Sequence, residues 1–136
     1  MKPPVRLRAA DARDLAVISA LLQDALVPLA DMAYLKDERY FVLAVNRYRW
    51  DDPEEPSRTH ALVGFRQVDR VQSRSLRRTD PTRILNLLTV TYADGVVQAE
   101  FAESGSLRLH VSELECLLED VGEPWPAVAQ PRHETE

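Results

Sequence analysis

A single cysteine, Cys116, occurs among the 136 residues of the chain. An intramolecular disulfide is therefore impossible and a cysteine-based zinc site lacks ligands, which fits a reducing compartment. The three histidines, His60, His110 and His133, show neither His-x-x-x-His nor His-Glu-x-x-His spacing, so no ready metal or acid–base centre is legible. Four glycines are too few for either common phosphate-binding loop, and no Gly-x-Ser-x-Gly elbow is present. No apolar run reaches the ~18 to 20 residues that cross a bilayer. The basic start is followed by no apolar signal segment or small-residue cleavage site. These absences predict a cytoplasmic protein with no cofactor, no metal and no membrane span.

What is present is an ordinary globular composition with apolar residues in short periodic runs. The length suits one domain, expected over residues 1–125 with a flexible tail at 126–136. A net charge of −5 argues against whole-protein affinity for nucleic acid but leaves local patches open. Residues 5–8 alternate as a short strand. Asp11 then caps a helix expected from about residue 12 to 26, with Leu15, Ile18, Leu22 and Ala25 on its apolar side. β patterning begins near Ala33, and residues 38–50 read as a central strand with Phe41, Leu43 and Val45 on one face. The acidic, proline-broken stretch 51–58 reads as a solvated loop. Residues 59–75 read as one curved strand or two short ones, the step from Phe65 to Val68 to Val71 calling for a bulge. Asp94-Gly95 marks a hairpin between residues 84–92 and 96–102, and the strand at 106–111 turns Ser106, Arg108 and His110 outward.

The last element carries helical signals. Ser112 and Glu115 have capping-box spacing, Leu114, Leu117, Leu118 and Val121 recur at helical intervals, and Gly122 and Pro124 provide a stop. A helical wheel places Cys116 outside, among carboxylates that would raise its thiol pKa. The expected architecture is α+β: a bent antiparallel sheet or partly closed roll of six to seven strands, with an N-terminal helix and a capping C-terminal helix. That arrangement is similar to pleckstrin-homology-like (PH-like) rolls, which host many unrelated activities.

The stretch DLAVISALLQDALVPLADMAYL at residues 14–35, with ERYFVLAVNRYRW at 38–50 and the run at 68–76, resembles an uncharacterised alphaproteobacterial family classed as a domain of unknown function. The resemblance spans nearly the whole chain and implies a bacterial cytosolic protein built of this one domain. It carries no assigned activity, so it implies no catalytic residue.

The clearest charge asymmetry lies between Phe65 and Ile84, where Arg66, Arg70, Arg74, Arg77, Arg78 and Arg83 face only Asp69 and Asp80. Arg66, Arg70, Arg74, Arg77 and Arg78 form a candidate anion-binding stripe suited to phosphate, lipid headgroup, nucleic-acid backbone or an acidic protein surface. The competing reading pairs these arginines with the acidic loop and the acidic C-terminal helix of the same chain. Three functions stay open: a non-enzymatic binding or adaptor module for a protein partner, an anion-binding domain for lipid headgroups or nucleic acid, and a small enzyme assembled from Arg47, Arg49, His60 and nearby acids. The oligomeric state is not legible.

Overall fold

Burial alternates with period two through most of the computed structural model, which describes residues 2–76, 80 and 82–127. Among the described residues there are ten strands and one α-helix: β1 (Arg6–Ala9), α1 (Ala12–Leu21), β2 (Ala25–Pro28), β3 (Met32–Leu35), β4 (Tyr40–Tyr48), β5 (Ser57–Phe65), β6 (Val68–Arg74), β7 (Ile84–Ala93), β8 (Val96–Phe101), β9 (Ser106–Val111) and β10 (Cys116–Pro126). All pairings are antiparallel, in the order β1-β10-β5-β4-β2-β7-β8-β9-β6, with β3 also paired to β4.

The short strand β2 joins the two halves of this sheet. Leu26 pairs with Asn46 of β4 on one side, and Ala25 to Pro28 pair with β7 on the other. The sheet doubles over at this joint, so that Leu43, Val45, Val63 and Phe65 of β4 and β5 meet Leu87, Val90, Val97, Ala99, Leu107 and Leu109 of β7, β8 and β9. These side chains enclose a void of only about 20 Å³, so the two inner faces are closely packed. Helix α1 begins where Asp11 accepts the Asp14 N–H at 2.8 Å. It buries Leu15 and Ile18 against the sheet. Its Ser19 Oγ accepts the Val90 N–H at 2.9 Å, close to the β7 register shift between Leu87 and Thr89. A strand irregularity is thus satisfied by the helix that covers it.

Several expectations hold. Phe41, Leu43 and Val45 share the buried face of β4. The 59–75 segment divides into β5 and β6 around Gln67, whose φ is 59°, with a register shift between Val68 and Arg70. Asp94 and Gly95 both take the left-handed conformation that their hairpin turn requires.

Others are corrected. The helix expected to about residue 26 ends at Leu21: Asp24 turns left-handed at φ 63° and donates its N–H to the Leu87 carbonyl at 2.8 Å, after which the chain pairs as β2. The strands number ten among the described residues, not six or seven: β2 and β10 carry apolar spacings that also satisfy a helix, and the short β3, at the expected start of β patterning, pairs as a separate strand with β4. The larger correction is the C-terminal helix, which is absent. Ser112 Oγ instead accepts from Arg39 Nη2 at 2.8 Å. The Ser112 N–H, which the Glu115 carboxylate would accept in a capping box, is donated to the Gln67 carbonyl at 3.1 Å, and that carboxylate lies 3.9 Å from Arg66 Nε. With both halves of the capping box committed elsewhere, residues from Cys116 onward insert between β1 and β5 and satisfy the facing edges of both. The element on which the PH-like comparison rests is therefore a strand.

Cys116, expected outside, is buried with Leu114 and Leu118, while Leu117 and Val121 turn outward. The C-terminal residues Pro126 and Ala127 are described, Ala127 donating its N–H to the Pro56 carbonyl at 3.1 Å; the rest of the expected tail lies outside the described residues.

Strand and helix make different demands on Leu117 and Leu118. Leu118→Ala should cost ~2 to 5 kcal/mol in urea unfolding, the range for emptying a buried leucine site, and Leu117→Ala clearly less. Equal losses would favour the helix.

Candidate functional site

Alternation along β4 places Arg47 on the same face as Val45, which carries a guanidinium into the interior: its side chain is 0% exposed. Such a charge persists only when paired and hydrogen-bonded. Arg47 Nε donates to Asp120 Oδ1 at 2.8 Å and Nη2 to Asp120 Oδ2 at 2.8 Å, a two-pronged fork. Nη1 donates to Asp51 Oδ1 at 2.9 Å and to the Tyr48 carbonyl at 3.4 Å. Asp120 Oδ2 also accepts the Val5 N–H at 2.9 Å. Beside this pair, buried Arg49 donates from Nη2 to the Lys2 carbonyl at 2.7 Å, and Asp52 Oδ2 accepts the Lys2 N–H at 3.2 Å.

Burial by itself would lower the Arg47 pKa, but the hydrogen bonds and charges of Asp120 and Asp51 outweigh it and raise it. For Asp51, burial pushes the carboxyl upward, and the Arg47 hydrogen bond and charge, aided by its own backbone and by Arg49, bring it below its ordinary value. All three guanidinium nitrogens of Arg47 are committed to the protein itself. The cluster ties the N-terminal segment, β4, the following loop and β10 together, so the start of the acidic loop is a fastening rather than a solvated stretch.

The catalytic grouping imagined for Arg47, Arg49 and His60 is not assembled. His60 pairs with Asn46 in the ladder and therefore points to the opposite face from Arg47, where its ring lies 4.7 Å from that of Trp125. His110 sits on a different strand, its Nε2 2.7 Å from Gln72 Oε1. His133 lies outside the described residues. Among the described residues, no group of three or more His, Cys, Asp or Glu side chains is placed to hold a metal ion. Burial pushes the Cys116 thiol up to about 12; the cause is desolvation, not the acidic neighbours that the wheel suggested.

The arginine stripe divides. Arg66, in the turn after β5, stacks on Tyr40 with its guanidinium carbon 4.5 Å from the ring centroid, and its Nε lies 3.9 Å from Glu115. Tyr40 can lie there because residue 64 is glycine: a Cβ at Gly64 would come within 2.8 Å of the ring carbons. Arg77 and Arg78 lie outside the described residues. Arg70 and Arg74 stand exposed on β6, opposite His110 and Ser106 of β9, while Gln72 between them faces Arg108. Because Leu107 and Leu109 point inward, Arg108 points out with Arg70 and Arg74 and is diagonal to both, within reach of long side chains. The adjoining β8 contributes Gln98 beside Arg108 and Glu100 beside Ser106. Gln98 donates to Glu100.

The result is an open polar depression of about 220 Å³ lined by Gln72, Ser73, Arg74, Gln98, Ser106 and Arg108. Arg70, Arg74 and Arg108 have no hydrogen-bonding or ion-pair partner among the described residues. Of the acidic groups expected to neutralise the stripe, Glu115 does meet Arg66, while Asp51 and Asp120 are engaged by Arg47 and Glu119 by Arg6 at 3.8 Å. Arg108 was legible as outward-facing, but only the β6–β9 pairing joins it to the stripe.

The protein of unknown function family DUF2948 matches residues 5–133, nearly the whole chain. The chain belongs to the DUF2948 family. No curated protein and no solved structure matches this DUF2948 chain. No helix among its described residues is long and apolar enough to cross a membrane.

The buried pair sets two expectations. Arg47→Leu should cost ~3 to 5 kcal/mol by stranding Asp120 in the interior, and combining it with Asp120→Leu should restore much of that loss; additive losses in a double-mutant cycle would show that the pair does not act as a unit. Asp51, with its folded pKa depressed, contributes stability that is complete above the ordinary carboxylate range and disappears as pH falls through its lowered value. Denaturant unfolding of Asp51→Asn should therefore show a shallower loss of stability on acidification than the parent, and parallel pH profiles would count against the linkage.

Proposed function

We propose that this DUF2948 chain is a non-enzymatic binding module that takes an anionic ligand on the outer face of β8, β9 and β6. The observation that carries the reading is the convergence of Arg70, Arg74 and Arg108 on one open face, where they outnumber Glu100 of β8, whose carboxylate accepts from Gln98. Exposed like charges placed diagonally on neighbouring strands repel one another, and an anion meeting several guanidinium groups relieves that repulsion while gaining charge-assisted hydrogen bonds. Gln72, Gln98 and Ser106 add neutral donors and acceptors between them. An adaptor role in a bacterial cytoplasm belongs to the same proposal, and the lone, buried, unreactive Cys116 is compatible with it.

Three anionic probes test the reading: poly-L-glutamate, polyuridylate, and vesicles containing phosphatidylglycerol. At least one should bind at low salt with an affinity that falls steeply as salt rises. Arg74→Glu combined with Arg108→Glu should abolish that binding with little change in the unfolding midpoint, since exposed charges contribute only ~0 to 1 kcal/mol. Arg66→Glu, away from the face, should leave it intact. If none of the probes binds at low salt, or if the double variant loses its fold, the reading is wrong.

A further inference from the structure

The arginine face ends at an open sheet edge. Strand β6 is terminal in the strand order, so the backbone N–H and C=O groups along its outer side have no strand partner among the described residues. Both ends of that edge are nevertheless held. At the start, Val68 donates its N–H to the Arg39 carbonyl at 2.9 Å, and its own carbonyl accepts from Tyr34 Oη at 2.9 Å. Arg39 Nε donates to Asp69 Oδ1 at 2.7 Å. Just past the strand, the Ser75 carbonyl accepts from Arg83 Nη1 at 3.2 Å. The stretch from Arg70 to Arg74 is therefore an extended backbone fastened at its two ends and open between them.

We propose that the ligand of this face is an acidic protein segment that adds to the sheet as an extra strand along β6. The proposal rests on the anion-binding reading above and names its partner. An exposed strand edge presents alternating donors and acceptors, and a polypeptide backbone satisfies both where a phosphate polymer or a headgroup does not. A strand added there would lie about 4.8 Å from β6, and every second side chain, spaced roughly 6.6 to 6.8 Å apart, would fall on the outer face. Those side chains meet Arg70, Gln72 and Arg74 in succession. Acidic residues at positions i and i+4, with a hydrogen-bonding residue at i+2, complement that row, and Arg108 on β9 adds positive charge behind it. The same arginines resist edge-to-edge pairing with a second copy, which would set arginine against arginine. The outer face of β6, β8 and β9 carries no Phe, Tyr or Trp ring, and its single imidazole, His110, is held by Gln72 at 2.7 Å, which leaves little of the stacking platform that single-stranded nucleic acid uses.

The test uses the full chain and a labelled, end-capped peptide of sequence Thr-Glu-Thr-Gln-Thr-Glu-Thr, with two further versions methylated on alternate backbone nitrogens: one on the Glu and Gln residues, the other on the Thr residues. The parent peptide should bind, and the amides from Arg70 to Arg74 should exchange more slowly with solvent in its presence. Only alternate N–H groups of an added strand face β6, so one methylated version should weaken by about tenfold or more while the other binds like the parent. Arg70→Glu with Arg74→Glu should abolish binding.

Binding of both methylated peptides as tight as that of the parent, with no slowing of amide exchange but full sensitivity to the arginine reversals, would overturn strand addition and leave the anion-binding reading standing. Competition by polyuridylate or phosphatidylglycerol vesicles at lower concentration than the peptide would overturn the choice of a protein partner. Failure of every acidic probe to bind would remove both readings.

Discussion

The fork between Arg47 and Asp120 holds β10 in its place, and the rest of the first half-sheet is arranged around that strand. Two charges removed from water impose a large desolvation penalty that only close geometry and full hydrogen bonding offset. Here the guanidinium meets one carboxylate through two nitrogens and another through the third, and Asp120 also takes the Val5 N–H. An out-of-register β10 would separate Asp120 from Arg47 and turn Cys116 and Leu118 toward the wrong face, so the polar and apolar requirements select the same pairing. The N-terminal segment then follows, because Val5 and Lys2 bond to the carboxylates that the two arginines position.

The doubling of the sheet at β2 gives the protein one shared interior and two outer faces of different character. Outside β4, β5 and β10 the surface is largely apolar: Leu26, Pro28, Ala44, Leu62, Ile84 and Val121 line a groove of about 250 Å³, with Asn46 and His60 beside them. Outside β6, β8 and β9 it is polar and positively charged. The arginines of the sequence accordingly serve in different ways. Arg47 and Arg49 fasten the chain internally, Arg66 lies across Tyr40 beside Glu115, and Arg70, Arg74 and Arg108 face outward without acidic partners among the described residues. Their type is the same; the face of the strand on which each falls decides its role.

Local chemistry in the sequence by itself determined a mainly antiparallel sheet, the Asp11-capped helix, the Asp94-Gly95 hairpin, the bend between β5 and β6, and the inward rows Phe41-Leu43-Val45 and Leu107-Leu109-Val111. Each follows from neighbours a few residues apart, through period, capping or turn geometry. Tertiary structure alone decided the state of the segment from Ser112 to Val121. There the leucines fit a helical stripe and the capping groups fit a helix start, but two strand edges offered long-range pairing and a buried guanidinium required Asp120. Neither partner is visible from within the segment, and together they outweigh the local helical preference. The candidate site divides in the same way: the exposure of Arg70, Arg74 and Arg108 was readable from alternation, whereas their convergence on one face depends on β6 pairing with β9 across more than thirty intervening residues.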